Sequence, residues 1–398
     1  MIDVSGQLSI DDALALVLER VAPLEAEDVP VGLAAGRVLA APASATIDLP
    51  PFDSSAMDGF AVRPEDTPGR LRVIGQSAAG RPFDGTLAAG EAVGISTGAV
   101  VPSGAGAIVP VEEARLDGDS VVVEKAAPAA HVRVRGGDAA AGSLVVPAGA
   151  RLRPAQIGAL AAAGVAVVRV ARRPHVAVLA TGSELRPPGA SLAEGEIYEA
   201  NTPLLAAQLA AAGARVELLD PVVDDAEATV AALERGLSAD MLVTSGGVSV
   251  GQHDLVRSAL AQLGVEEVFW RVAVRPGRPV AFGVRGRTLV FGLPGNPVSS
   301  LVGCELFVRP AVLALQHASE PGPLYLPGRL GRSTPRSPQR AQLIRARLRI
   351  DPEGVVLEPL RGQESHMIAT SASAEALVLI EAGDGELPEG SPVRYLTL

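Results

Sequence analysis

This sequence predicts a multidomain protein of the α/β plus β class. A central doubly wound α/β domain is preceded by an inserted β-rich domain and followed by a small C-terminal β-barrel. Three observations carry the prediction. From His175 onward, short apolar strands alternate with helical periodicity, the pattern of a parallel sheet covered on both faces. Between Pro42 and about Asp138, runs such as "LRVIGQSA", "AVGIST", "AIVPVEE" and "SVVVEKA" are broken by Gly, Pro and Asp turns. Past Pro321 the same turn-rich β texture returns in "QLIRARLRI", "GVVLEPL" and "ALVLIEA". The boundaries that follow are 1–42 with 139–174 for a mixed N-terminal domain, 43–138 for the insert, 175–320 for the α/β domain and 321–398 for the barrel.

Ser9, followed by Asp11 and Asp12, starts the first helix with a capping oxygen and acids at its positive end. Leu14, Leu16, Val17, Leu18 and Val21 give that helix an apolar side, and Pro23 stops it. After the insert, "RPAQIGALAAAGVAVVRV" reads as helix, glycine stop and strand. In the central domain "HVAVLAT", "RVELLDPVV", "DMLVTSG" and "TLVFGLPG" are strands. The helices between them begin at Asn201, at "DDAEATVAALERGL" and at "DLVRSALAQLG", and "NPVSSLVGCELFVRPAVLAL" is a long closing helix. No fixed-period repeat is present, so a solenoid is not indicated.

Composition narrows the function classes. The 398-residue chain carries a net charge of -11, which argues against nonspecific binding to nucleic acid or anionic membrane. A single Cys304, inside an apolar helix, excludes an intrachain disulfide or a multi-cysteine metal site and reads as an inert core thiol. The N-terminus lacks the basic head and apolar run of a signal peptide, so the expected location is the cytoplasm.

In an open α/β sheet, ligands bind off the carboxyl ends of the strands. Here those ends are "TGSEL", "VVDD", "SGGVSVGQHD" and "GLPGNP". Ser245, Gly246, Gly247, Ser249 and Gly251 form a loop suited to an oxyanion, and Pro294 and Asn296 lie on the next strand end. No lysine follows the loop, so it is not a Walker motif. Glu184, Asp224 and Asp254 crowd the same edge, where carboxylates repel phosphate unless a divalent cation lies between. Magnesium, which bridges a few carboxylates to phosphates while keeping its waters, is the expected metal. Arg271, Arg275 and Arg278 in "FWRVAVRPGRP" add a basic strip able to hold anions, or else guard a sheet edge. Upstream, "PPFDSSAMDGFAV" sets Asp53 and Asp58 in a turn that Met57 and Phe60 should fix by burial.

Together "PPFDSSAMDGFAV", "STGAVVPSGAGAIVPVEE", "VRVRGGD", "LATGSEL", "TSGGVSVGQHD", "FWRVAVRPGRP" and "GLPGNPVSS" resemble the MoeA-type molybdopterin molybdenumtransferases, which include the gephyrin E domain. The resemblance spans nearly the whole chain and makes the central domain MogA-like. It implies an enzyme that inserts molybdate into adenylylated molybdopterin, with Mg-dependent release of AMP. It also implies site residues Asp58, Thr97 and Asp138 in the N-terminal half, acting with Glu184, Asp224 and Asp254. In the barrel it implies Arg345 and Ser365 as substrate contacts. Members are elongated homodimers in which the α/β domain of one subunit faces the N-terminal half of the other. Transient contact with the molybdopterin adenylyltransferase and with apo-molybdoenzymes or their chaperones is implied too. Arg271, Arg275 and Arg278 stand where the family commonly has lysines, and Lys125 is the only lysine in the chain. Phe60 stands where tyrosine is common. Two rival functions, a degenerate paralogue acting as a scaffold and a nucleotide-pyrophosphate hydrolase, fit the central domain less specifically.

Overall fold

The computed structural model describes residues 7–223, 225–247 and 255–398. Ser9 caps the helix Ile10–Glu19 by accepting the Asp12 N–H at 3.0 Å. Its buried face, Ile10, Ala13 and Val17, joins the core of the α/β domain beside Phe307 and Val308. Its apolar stripe thus packs into the larger core, whereas Ala34 and Leu39 pack with Leu152, Leu160 and Val168 in a separate small core. The strand Ala26–Pro30 pairs antiparallel with Val167–Ala171, so the chain on either side of the insert closes one small domain.

The insert holds a six-stranded sheet in the order Ala107–Pro110, Gly59–Val62, Glu91–Ile95, Gly69–Ser77, Ser120–Val123 and Ala114–Asp117. Phe60 is buried in it, but Met57 is exposed, so the aspartate turn is fixed by Phe60 alone.

The α/β sheet runs Arg215–Leu218, His175–Ala180, Met241–Ser245 and Thr288–Leu293, all parallel. Two further strands, Ala281–Arg285 and Glu266–Phe269, extend it antiparallel. The expected parallel sheet is thus a mixed one. The reason is a tight turn through Gly286 (φ 61), which joins Arg285 directly to its partner Thr288 and leaves no room for a crossover helix. Phe282 and Phe291 meet across this pair with centroids 4.9 Å apart, on the face that the long closing helix covers. That helix runs from Pro297 to Leu315 with a π-helical stretch at Cys304–Val308. Pro310, which has no N–H to donate, lies two residues beyond Val308 and accounts for the altered hydrogen bonding. The segment is long and apolar enough to cross a membrane, yet 83% of it is buried within the protein. Cys304 is fully buried there, and burial pushes its thiol pKa up, as expected of an inert core thiol.

The C-terminal strands Ala341–Asp351, Gly354–Pro359, Leu326–Leu330, Pro392–Thr397 and Ala376–Ile380 pair in sequence, and the last pairs back to the first. This closes a five-stranded barrel and removes its edges. A short strand from the arginine strip, Val274–Arg275, adds to it in parallel at Ala341–Gln342 and ties barrel to α/β domain.

Between the small N-terminal domain and the α/β sheet, Arg172 holds Asp240 through two bonds of 2.6 and 2.8 Å and Glu25 at 2.8 Å. Burial raises the Asp240 pKa, but the Arg172 guanidinium and the His175 N–H outweigh it, and the carboxyl sits below its ordinary 3.8. A carboxyl depressed in the folded state stabilises above its unfolded pKa and loses that contribution as pH falls through the folded one. Asp240→Asn is expected to cost about 2 kcal/mol at neutral pH, and the gap to the native protein should close toward about pH 3. Urea midpoints at the two pH values check this, and a pH-independent gap would assign the loss to packing.

Candidate functional site

The parallel strands end at a cleft of about 550 Å³. Its wall is built from Thr181, Glu184, Ser245, Gly246, Gly247 and the Pro294–Asn296 turn. Gly246 and Gly247 have φ of 93° and 64°, conformations that L side chains rarely adopt. A Cβ on Gly246 would lie 2.6 Å from the Thr181 carbonyl oxygen, and one on Gly247 2.3 Å from Val256 Cγ2. Glycine is therefore required twice in succession, both for the left-handed turn and for the close approach of neighbouring chain.

Asn201 locks the two strand ends together. Its Nδ2 donates to Ser245 Oγ and to the Gly295 carbonyl, each at 2.7 Å. Glu199 accepts the N–H groups of Asn201 and Thr202 at 2.7 and 2.8 Å, closing the N-terminus of the helix Asn201–Ala211. Sequence reasoning placed the helix start at Asn201 but missed both side chains. A polar residue opening an otherwise apolar helix beside a strand end was the available signal.

Glu184 is exposed on the cleft wall, and its carboxylate makes no hydrogen bond or ion pair among the described residues. Gly182 donates to the Val222 carbonyl at 3.1 Å, which brings Val222 beside the turn that carries Glu184. Asp224, Asp254, Ser249 and Gly251 lie outside the described residues. Glu184 is the one carboxylate of the expected magnesium set that lies among the described residues, and it shares the cleft wall with Gly246 and Gly247. Among the described residues no group of three or more metal-binding side chains is assembled.

The arginine strip borders this cleft through Pro279, which lines it. Arg275 and Arg278 are exposed, Arg271 is half-buried, and none of the three forms an ion pair among the described residues. Arg278 Nε donates to Gln7 Oε1 at 3.1 Å. Asn296 Nδ2 reaches Ser365 Oγ at 2.9 Å, and the Ser365 carbonyl accepts the Val298 N–H, so the barrel caps the closing helix at the cleft rim. Arg345 stands apart from the cleft wall. It is fully buried and donates to the carbonyls of Met367, Gly362 and Glu364 and to Ser371 Oγ.

Asp58, Thr97 and Asp138 lie in the insert and line no part of this cleft. Asp58 Oδ1 accepts the Thr97 N–H at 2.8 Å, and both residues are exposed. Nearby, Asp53 accepts the Arg135 N–H, and Arg135 Nε donates to Asp48 at 2.6 Å. The Ala141 N–H, and then Arg135, hold Asp48 below the ordinary carboxylate range. Phe52, Met57 and Val134, the chain neighbours of Asp53, Asp58 and Arg135, are exposed.

Three family models match in order along the chain. They are the MoeA N-terminal region (domain I and II) at 8–164, a probable molybdopterin binding domain at 177–314 and the MoeA C-terminal region (domain IV) at 327–398. The chain belongs to the MoeA family. Among MoeA relatives, molybdopterin molybdenumtransferase 2 of Mycobacterium tuberculosis is 38% identical, covering 98% of this chain and 99% of its own. The molybdopterin molybdenumtransferase of Haemophilus influenzae is 33% identical over 97% of both chains. A crystal structure of the molybdopterin biosynthesis moeA protein of Pyrococcus horikoshii OT3 superposes with a TM-score of 0.78 at 26% identity, covering 98% of this chain and all of that one. The arrangement of MogA-like domain, β-rich insert and closed barrel is thus the MoeA architecture.

Proposed function

We propose that this MoeA protein is a molybdopterin molybdenumtransferase of molybdenum cofactor biosynthesis. In this reading it takes adenylylated molybdopterin and molybdate as substrates and releases AMP as molybdenum enters the dithiolene. The observation that carries the reading is the cleft: a double-glycine turn beside a Glu184 carboxylate that makes no hydrogen bond or ion pair among the described residues, bordered through Pro279 by the arginine strip. Backbone N–H groups at such a turn hold phosphate oxygens, and guanidinium forks hold either a pyrophosphate or a tetrahedral oxyanion. Asn201, by joining Ser245 to Gly295, keeps that turn from opening when the anion binds. Magnesium, when bound, screens the repulsion between Glu184 and phosphate. Arginine in place of lysine keeps the charge along the strip but cannot serve as a neutral base, so the strip binds rather than transfers protons.

Asp58 and Thr97 line no part of their own cleft, and the exposed Met57 adjoins Asp58, which supports a homodimer in which a second copy brings them to it. A cytoplasmic location and transient contact with the enzymes before and after it follow from the same reading.

The test supplies purified protein with adenylylated molybdopterin, magnesium and molybdate, and follows AMP and pterin-bound molybdenum together. AMP released only with molybdate, alongside metal insertion, is the expected result. Binding without release would favour the scaffold paralogue, and release without molybdate the hydrolase.

A further inference from the structure

The insert contains a cavity of its own, of about 420 Å³, that shares no residue with the cleft. Its origin is in the sheet order. Ala107–Pro110 and Ala114–Asp117 are the two edge strands of the six-stranded sheet, yet only the turn Val111–Glu113 separates them in the chain. The sheet therefore curls until its edges converge at that turn without pairing. Ile108 and Val109 of one edge, with Val122 and Val123 beside the other, give the cavity apolar walls. The segment 124–131 crosses it as a strap. Its Ala127 N–H donates to Thr67 Oγ1 at 2.7 Å, and its Ala130 carbonyl accepts the Ile108 N–H at 3.2 Å.

The rim carries charge that the fold does not use. Elsewhere in the insert Arg63 pairs with Glu65, Arg70 with Asp117 and Arg72 with Glu91. Around the cavity Glu112, Glu113, Arg115, Glu124 and Lys125 are exposed, and their side chains make no hydrogen bond or ion pair among the described residues. Both walls carry both signs: Glu112, Glu113 and Arg115 on the turn and edge strand, Glu124 and Lys125 on the strap. We propose that this cavity binds a small apolar zwitterion of dipeptide size, and that its occupancy stiffens the Asp58 turn. A ligand of one sign would meet like charge on either wall, whereas a zwitterion finds an unlike partner for each end. The volume lies in the range of about 300–1,000 Å³ usual for small-molecule sites. The link to Asp58 is a pair of backbone bonds. The Val111 N–H donates to the Asp58 carbonyl at 3.1 Å, and the Ala56 N–H to the His131 carbonyl at 2.8 Å. Turn and strap, the two walls that a ligand bridges, thus each hold one side of the Asp58 segment. Only the consequence for catalysis rests on the role proposed above for Asp58.

Lys125 is the only lysine in the chain, so reductive methylation with carbon-13 formaldehyde, which keeps the charge, gives one lysine resonance beside that of the N-terminal amine. Titrating the full-length protein with the dipeptide leucyl-phenylalanine is expected to shift that resonance saturably, with a midpoint equal to the Kd from calorimetry. The same dipeptide acetylated and amidated, which has no charged end, should bind at least about tenfold more weakly. The double variant Arg115→Glu, Lys125→Glu reverses both rim cations at exposed positions and should weaken the free dipeptide about tenfold or more by calorimetry. Hydrogen exchange at the Ala56 and Val111 amides should slow at least about threefold in the saturated protein. No shift up to about 10 mM dipeptide, equal binding of the blocked form, or unchanged affinity in the double variant overturns the site. Saturable binding with unchanged exchange at both amides overturns the link to Asp58. None of these readouts uses AMP release, so the site and the transferase reading stand or fall separately.

Discussion

Asp58→Ala is expected to reduce molybdenum insertion by at least about a hundredfold while changing unfolding free energy by less than about 1 kcal/mol. The asymmetry follows from exposure. Asp58 is exposed, and the one described bond of its carboxylate accepts the Thr97 N–H at 2.8 Å. Removing it costs the fold a surface turn contact, but removes a charge that the proposed site needs. Asp58→Asn separates two roles, because its amide oxygen still accepts from Thr97 while the charge is gone. If insertion returns in Asp58→Asn, the residue acts by shaping the Thr97 turn; if it stays lost, the charge itself is required. Mixing Asp58→Ala with Glu184→Ala subunits adds a geometric check. Each variant alone is expected to be inactive, whereas a mixed dimer with a site shared between copies contains one intact set and should recover activity. No recovery from verified mixed dimers would place Asp58 and Glu184 in the same subunit's site.

The sequence showed the cleft better than it showed the edges of the domains. Glycine pairs after apolar strands are legible because only glycine tolerates the φ of Gly246 and Gly247, so composition records the geometry directly. The antiparallel strands at Glu266–Phe269 and Ala281–Arg285 were not legible in this way. Their apolar runs are short, and whether such a run pairs parallel or antiparallel depends on the turn at Gly286, which local periodicity does not report. The first helix illustrates the same limit. Its cap and apolar stripe were readable from Ser9 to Val17, but which core the stripe enters is decided by distant Phe307 and Val308. Asn201 and Glu199 went unread because their work is done across the sheet, on Ser245 and Gly295, and at a helix start that already looked complete. Met57 looked buried and is exposed, because an apolar residue in a turn has no periodicity to say which way it faces.

Arg345→Ala is expected to destabilise the protein by about 3–5 kcal/mol and to lower insertion through loss of the rim contacts of Ser365. Arg345 has no exposed surface. Its guanidinium reaches the carbonyls of Met367 at 2.5 Å and Gly362 at 2.6 Å, and Ser371 Oγ at 2.9 Å. Truncation would strand those carbonyls inside the protein and leave a cavity on the barrel wall, two costs that add. The loop held by these bonds carries Ser365, whose hydroxyl accepts from Asn296 Nδ2 and whose carbonyl accepts the Val298 N–H. Resemblance to the family implied direct contact between Arg345 and substrate, whereas the hydrogen bonds assign it to the loop. The two roles separate in one pair of measurements, urea unfolding and molybdate dependence of AMP release. A positioning role predicts that Arg345→Ala lowers the unfolding midpoint and that Ser365→Ala, which leaves Arg345 intact, reproduces part of the activity loss without the stability loss. An Arg345→Ala protein as stable as the native one, with a raised molybdate requirement, would instead make the guanidinium a direct ligand.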